Sequence, residues 1–302
     1  MSGASDGAEI VVICGPTGAG KSDLALRLAE RSGRAILVAD SRQVYRGFDV
    51  GTAKPTVAEQ RRVRHLGIDL VDPRERYSAA QWAAFANVQL AGEPPPIVVG
   101  GTGLYLRALF DGLFDEPAVD ASRRRALIDW LDGHPTEELR RWVTQLDPAR
   151  ASLGRTQLLR AIEVALLTGT RISDLHATRA TVSRWRARYL VVDPGPRLHE
   201  RIAKRLDAMI EAGWLDEVRA LRGVPDDAPA WKSSGYRTLR DVVDGVVRLD
   251  EARERILIET RQYAKRQRTW FRHQLPEDRT TRINPETDEP GAIDAWFAAM
   301  NK

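Results

Sequence analysis

The chain has 302 residues, 43% of them hydrophobic and 29% charged, the balance of an ordinary soluble globular protein with a substantial buried core. Its formal net charge of +4 permits a nucleic-acid partner without demanding one. No apolar run approaches the roughly 20 residues that span a bilayer, the opening MSGASDGAEI lacks the regions of a secretory signal, and the single cysteine, Cys14, excludes an intrachain disulfide and a cysteine-based zinc site, so a cytoplasmic protein is expected.

In chain order, EIVVIC (9–14), AILVAD (35–40), GIDLVD (67–72), PIVVG (96–100) and RYLVVD (188–193) are short apolar runs. Most are unbroken, as in parallel strands covered on both faces. SDLALRLAERSG follows the first run as a helix, and YSAAQWAAFANVQL opens with Ser78 and Gln81 at the spacing of a capping box. From about 115 to 187 the strand signal gives way to the amphipathic segments RRRALIDWLDG, TEELRRWVTQL and QLLRAIEVALLTG. The run 188–193 then restores the strand pattern, and long helices follow, among them LDEARERILIETRQYAKRQRTWFRHQL. The predicted fold is α/β: a P-loop-type doubly wound parallel sheet in residues 8–114 and 188–302, with a helical lobe inserted at 115–187.

ICGPTGAGKSDLAL, residues 13–26, is a glycine-rich turn between a strand and a helix. Gly15, Gly20, Lys21 and Ser22 satisfy the G-x4-G-K-[ST] pattern, with Pro16, Thr17, Gly18 and Ala19 between them. Backbone N–H groups converging at a helix N-terminus bind phosphate oxygens, Lys21 adds a point charge, and Ser22 supplies a hydroxyl for Mg²⁺. A nucleotide hydrolase also needs a metal-binding acid, for which Asp40 or Asp193 qualifies by position, but there is no N-K-x-D guanine-recognition element. The segment ADSRQVYRGFDVGTAKP (39–55) places Asp40 beside Ser41, Arg42 and Gln43, with Tyr45, Arg46 and Lys54 beyond. An amide such as Gln43 reads an adenine edge and the cations suit phosphates; a polar surface loop capped by Asp40 is the alternative. VVGGTGLYLRAL (98–109) adds glycines after a strand and the Thr102 hydroxyl, a weak signal alone.

In combination, GPTGAGKS, DSRQVYRGFDVGTAKP, IDLVDPRERYSAAQW, GGTGLYLRAL, SSGYRTL and TRQYAKRQRTWFR follow the order seen in tRNA dimethylallyltransferases, and the chain resembles a bacterial member over essentially its whole length. The resemblance implies that residues 15–22 grip the diphosphate of dimethylallyl diphosphate. The exocyclic amine of the adenosine 3′-adjacent to a tRNA anticodon would then attack the allylic carbon and expel pyrophosphate, in tRNAs reading codons that begin with U. Asp40 matches the family's general base, while Thr17, Lys21, Ser22 with Mg²⁺, and Arg237 of GYR match positions that stabilise the leaving group. Asp40, Ser41, Arg42, Gln43 and Thr102 match contacts to the tRNA anticodon stem-loop. Arg124 and the stretch Thr156, Gln157, Leu158, Leu159 and Arg160 are carried over as lobe contacts, although this chain reads SLGRTQLLRAIE where the family usually has a His-Pro-Asn-Asp-like stretch. A monomer is expected.

The basic segment LDEARERILIETRQYAKRQRTWFRHQL spaces Arg261, Lys265, Arg268 and Arg272 at i, i+4, i+7 and i+11, along one helical face. A solvated charged face is one reading; the resemblance favours phosphate contact by Lys265 and Arg268, with Trp270 and Phe271 packed on the core. Two other enzyme readings, a small-molecule kinase and an adenylate isopentenyltransferase, differ in their acceptor. A non-enzymatic RNA-binding module would bind tRNA without turnover.

Overall fold

A computed structural model describes residues 9–112, 119–178, 183–288 and 290–299. Two compact units are present, one running to Phe110 and resuming at Arg184, the other spanning Asp111–Ser183. In the first unit, six parallel strands lie in the order β3-β2-β4-β1-β5-β6. They are β1 (Glu9–Cys14), β2 (Ile36–Val38), β3 (His65–Leu66), β4 (Ile97–Gly100), β5 (Arg186–Val192) and β6 (Thr280–Ile283). The helices, in chain order, begin with α1 (Lys21–Ser32), α2 (Val57–Arg62), α3 (Ala79–Gln89) and α4 (Gly103–Phe110). The second unit holds α5 (Ala121–Asp132), α6 (Thr136–Leu146), α7 (Arg155–Thr168) and α8 (Ile172–Thr178). The first unit resumes with α9 (Leu198–Glu211), α10 (Trp214–Ala220), α11 (Tyr236–Val243), α12 (Leu249–His273) and α13 (Pro290–Ala299).

The apolar runs become strands because helices cover them. Leu24, Ala25 and Leu28 of α1 and Phe297 of α13 pack with Val11, Ile13, Val38, Val99, Leu190 and Val192. Trp82 of α3 is fully buried, stacks on Tyr105 of α4 and donates its indole N–H to the Val38 carbonyl at 3.0 Å. The capping box of α3 forms as its spacing predicts: Ser78 Oγ accepts the Gln81 N–H at 3.2 Å, and Gln81 Oε1 accepts the Ser78 N–H at 2.8 Å.

One strand expectation is corrected, and one strand was not anticipated. The run 67–72 is no strand, because its backbone turns left-handed at Gly67 (φ 85°) and Asp69 (φ 53°); the strand is the preceding His65–Leu66, with one isolated bridge from Val71 to Tyr45. The edge strand β6, TTRI, buries only Ile283 and lacks an apolar run to announce it.

In the second unit, α5, α6 and α7 bury Leu131, Leu139, Val143, Leu158, Ala161 and Ile162 against one another. Fully buried Leu158 and half-buried Leu159 belong to this packing.

Strand order positions the site. β1 and β4 are neighbours, yet the chain leaves β1 for β2 on one side and later passes from β4 to β5 on the other. Loops after such strands diverge and open a crevice at their carboxyl ends, where ligands of open α/β sheets bind.

Candidate active site

The crevice is walled by Thr17, Lys21 and Ser22 from the turn after β1, by Asp40, Arg42 and Gln43 after β2, and by Gly100 and Gly101 at the end of β4. Arg205 of α9 and Tyr263 and Gln267 of α12 complete its polar side, and Ile202, Leu206, Met209, Trp214 and Ile256 form an apolar side. Of the residues singled out for chemistry in the first unit, Thr17, Lys21, Ser22, Asp40, Arg42 and Gln43 therefore converge.

The phosphate loop is possible only with glycine at its entry. Gly15 has φ 141°, and a Cβ there would lie 2.2 Å from the Val192 carbonyl oxygen at the end of β5. The following turn delivers Lys21 to the first position of α1, where its Nζ donates to the Pro16 carbonyl at 2.7 Å. Enclosure lowers Lys21 to about 8; the positive charge of Arg205 pushes the same way and Asp40 opposes both. Arg205 is also depressed, chiefly by burial, with Asp40 and Asp23 opposing. Two cations thus lie near one carboxylate in the crevice, a local excess of positive charge that suits an anionic ligand.

Arg205 escaped the sequence reading, although the sequence held a signal. Leu198, Ile202 and Leu206 are the buried stripe of α9, and position 205 falls beside it, on the inner face where a charged side chain is rarely tolerated without a task. Conversely, Arg237, the expected leaving-group cation, is exposed in the first turn of α11 and does not line the crevice.

On the acceptor side, Asp40 Oδ1 accepts the Arg42 N–H at 2.8 Å, and Thr102 Oγ1 accepts the Ser41 N–H at 3.1 Å. Thr102 also donates its own N–H to the Ala39 carbonyl at 3.2 Å. The Tyr263 hydroxyl, hydrogen-bonded to the Thr102 side chain, is pushed up to about 12 mainly by burial.

Three polar residues of this loop serve it internally. Both Gln43 Nε2 hydrogens are spent on the Thr52 and Ala53 carbonyls, each at 3.0 Å, so the amide has no free donor for an adenine edge. The buried Lys54 ammonium donates to the Tyr45 carbonyl at 2.8 Å, to Asp69 at 2.6 Å and to Asp49, and Arg46 donates to the Asp69 and Leu70 carbonyls. Glu217 of α10 accepts the Asp49 and Val50 N–H groups at 2.9 and 2.7 Å and is itself held by the Tyr236 hydroxyl at 2.5 Å. The loop is a fixed wall.

For a metal, Ser22 is the donor the loop presents, at the second position of α1 and facing the crevice. Among the described residues no group of three or more His, Cys, Asp or Glu side chains could hold an ion. That donor set suits Mg²⁺, which takes one or two protein ligands and completes its shell with substrate phosphates and water.

Within the second unit, Arg124 and Arg160 both pair with the buried Glu163, Arg124 at 2.5 Å. Thr156 and Gln157 are exposed in the first turn of α7, where Gln157 Oε1 caps the helix by accepting the Gly154 N–H at 3.1 Å. On α12, Lys265 and Arg272 are exposed and Phe271 is buried. Arg268 departs from the expected phosphate-binding face: its guanidinium is held by Asp193 and the Gly195 carbonyl, as is Asp193 by Arg268. Gln267 is a further residue the sequence reading passed over. Among the described residues no helix is long and apolar enough to cross a membrane.

The chain matches the family described as IPP transferase over residues 43–274 and that described as isopentenyl transferase over residues 8–72. The tRNA dimethylallyltransferase of Geobacter metallireducens is 43% identical over 276 residues, covering 87% of this chain and 89% of that protein. That of a Caulobacter species is 41% identical, covering 93% and 99%. Among solved structures, the full-length tRNA isopentenylpyrophosphate transferase of Bacillus halodurans superposes with a TM-score of 0.68 at 30% identity, covering 97% of this chain and 96% of its own. A eukaryotic dimethylallyltransferase acting on tRNA gives a TM-score of 0.79 at 26% identity, covering 97% and 78%.

Proposed function

The chain belongs to the IPP transferase family, and from that premise we propose that it is a tRNA dimethylallyltransferase. It transfers the dimethylallyl group of dimethylallyl diphosphate to the exocyclic amine of the adenosine 3′-adjacent to the anticodon, in tRNAs reading codons that begin with U, and releases pyrophosphate. It acts as a cytoplasmic monomer. The observation that carries the reading is that Lys21, Arg205 and Asp40 line one crevice together with an apolar side of Ile202, Leu206, Met209, Trp214 and Ile256. Such a crevice suits a ligand with an anionic head and a hydrocarbon tail.

The adenine amine is a weak nucleophile because its lone pair is delocalised into the ring, so a base must take its proton as the C–N bond forms. Asp40 takes that role: its carboxylate is oriented by the Arg42 N–H and lies within the field of both cations. As the allylic C–O bond breaks, negative charge accumulates on the diphosphate, and Lys21, Arg205 and backbone N–H groups of the phosphate loop would receive it. Thr17 adds a hydroxyl from the same loop. Ser22 would hold Mg²⁺, which when bound supplies further charge neutralisation at the diphosphate. The target base must leave its stack, at a cost of a few kcal/mol; Arg42 of the crevice wall, with Ser41 and Thr102 hydrogen-bonded to each other beside it, would meet it. Arg124, Thr156, Gln157 and Arg160 of the helical lobe and Lys265 of α12 engage the RNA. Incubating the protein with dimethylallyl diphosphate and either unmodified tRNA or free AMP, then identifying the nucleosides by mass spectrometry, tests the reading. A prenylated adenosine in tRNA supports it, and prenylated AMP alone refutes it.

A further inference from the structure

Tyr263 and Gln267 sit one turn apart on α12, and both reach loops of the crevice. Gln267 is 7% exposed. Its Oε1 accepts the Thr17 N–H at 2.8 Å, and its Nε2 donates to the Gly101 carbonyl at 2.8 Å. The partners dictate the amide's orientation, since a backbone N–H needs an acceptor and a carbonyl needs a donor. Thr17 belongs to the phosphate loop after β1 and Gly101 directly follows β4. The paired register of those strands ends at Cys14 and Gly100, and beyond it the two loops diverge. One amide therefore joins them where the sheet no longer does.

Two neighbours strengthen the arrangement. Gly101 leaves room for the amide, because a Cβ there would lie 2.3 Å from Gln267 Nε2. Thr102, the next residue, holds the Ser41 N–H and the Tyr263 hydroxyl, and Ser41 adjoins Asp40. A continuous chain thus runs from the phosphate loop through Gln267 to the 101–102 turn, and on to the carboxylate loop.

We propose that Gln267 is a positioning residue for the transfer: by clamping Thr17 to Gly101 it sets the separation between the diphosphate cradle and Asp40. The proposal rests on the prenyl-transfer reading of the crevice. Reacting atoms must approach within about 3–3.5 Å, and a displacement of about 1 Å costs on the order of 10²-fold in rate.

Single-turnover transfer to tRNA, measured with both substrates saturating, tests it. Gln267→Leu removes both contacts and is expected to lower the rate about 10²-fold with tRNA affinity unchanged. Gln267→Glu keeps an acceptor for the Thr17 N–H but regains a donor toward Gly101 only when its carboxyl is protonated. Its rate relative to wild type should exceed that of Gln267→Leu at about pH 6 and fall as pH rises toward about 9. A wild-type rate for Gln267→Leu overturns the proposal, as does a Gln267→Glu variant that matches Gln267→Leu at every pH. Gly101→Ala crowds the amide from the opposite side and carries the same expectation, so a wild-type rate there is equally contrary if Gln267→Leu does not fold. If wild type itself transfers nothing, the reaction reading fails. Calorimetric binding of inorganic pyrophosphate then reads the clamp alone: weaker in Gln267→Leu if the clamp shapes the cradle, unchanged if it does not.

Discussion

Arg268 is clamped to Asp193, its Nε 2.9 Å from Oδ2 and its NH2 2.5 Å from Oδ1, with a further bond to the Gly195 carbonyl. The pair ties the C-terminal part of α12 to the residue that follows β5. The side chains are 26% and 35% exposed, so solvent screening reduces their value below that of a fully buried pair. Arg268→Ala and Asp193→Ala should each cost about 1–2 kcal/mol of stability in denaturant unfolding and leave the salt dependence of tRNA binding unchanged. Lys265, exposed on the same helix, should behave in the opposite way. Lys265→Ala should leave stability alone and reduce the magnitude of the log-affinity versus log-salt slope by about 0.7–0.9. Equal slopes for wild type and Lys265→Ala would return that face to ordinary solvation.

Arg205 and Arg237 separate what the crevice does from what the motif suggested. Arg205 lines the crevice beside Lys21, while Arg237 is exposed outside it. Arg205→Ala should lower the chemical step about 10²–10³-fold, the range for loss of one preorganised charge-stabilising donor. It should also weaken pyrophosphate binding. Arg237→Ala should bind pyrophosphate as wild type does. Calorimetry with inorganic pyrophosphate distinguishes them, and the reverse ranking would mean that the leaving group lies against α11.

Lys21 should show a stability cost with a defined pH window. Its folded value of about 8 lies below the ordinary 10.5, so between those values the unfolded chain binds more protons and stability rises with pH. Below about 8 the penalty is fully present. Lys21→Met should therefore raise the thermal midpoint at neutral pH, with the gain over wild type shrinking toward pH 10.5. It should also abolish pyrophosphate binding, a trade of stability for function. A midpoint lowered at neutral pH by Lys21→Met would show that the lysine is not held under charge strain.

The sheet was legible because strands covered on both faces must be apolar throughout, and four of the five runs expected as strands overlap strands of the structure. The phosphate loop and the α3 capping box were legible because each is local: the residues that meet are at most a few positions apart. What stayed hidden depends on partners distant in sequence. Gln267 acts on Thr17, 250 positions away, and Arg268 on Asp193, 75 away; neither distance leaves a periodic trace. β6 was hidden because three of its four residues, Thr280, Thr281 and Arg282, are polar, so it lacks the apolar signature. Gln43 and Lys54 look like ligand-binding residues in the sequence, but the loop consumes their donors in holding its own shape.

The central claim is that Asp40 takes the amine proton while the crevice's cations hold the diphosphate. It is tested most directly by single-turnover transfer from dimethylallyl diphosphate to unmodified tRNA, comparing wild type with Asp40→Ala under saturating substrates and reading prenylated adenosine by mass spectrometry. The account predicts product from wild type and a rate 10²–10⁴-fold lower in the variant, roughly the range for loss of a general base, with tRNA and pyrophosphate binding retained. A variant that transfers at the wild-type rate would contradict it.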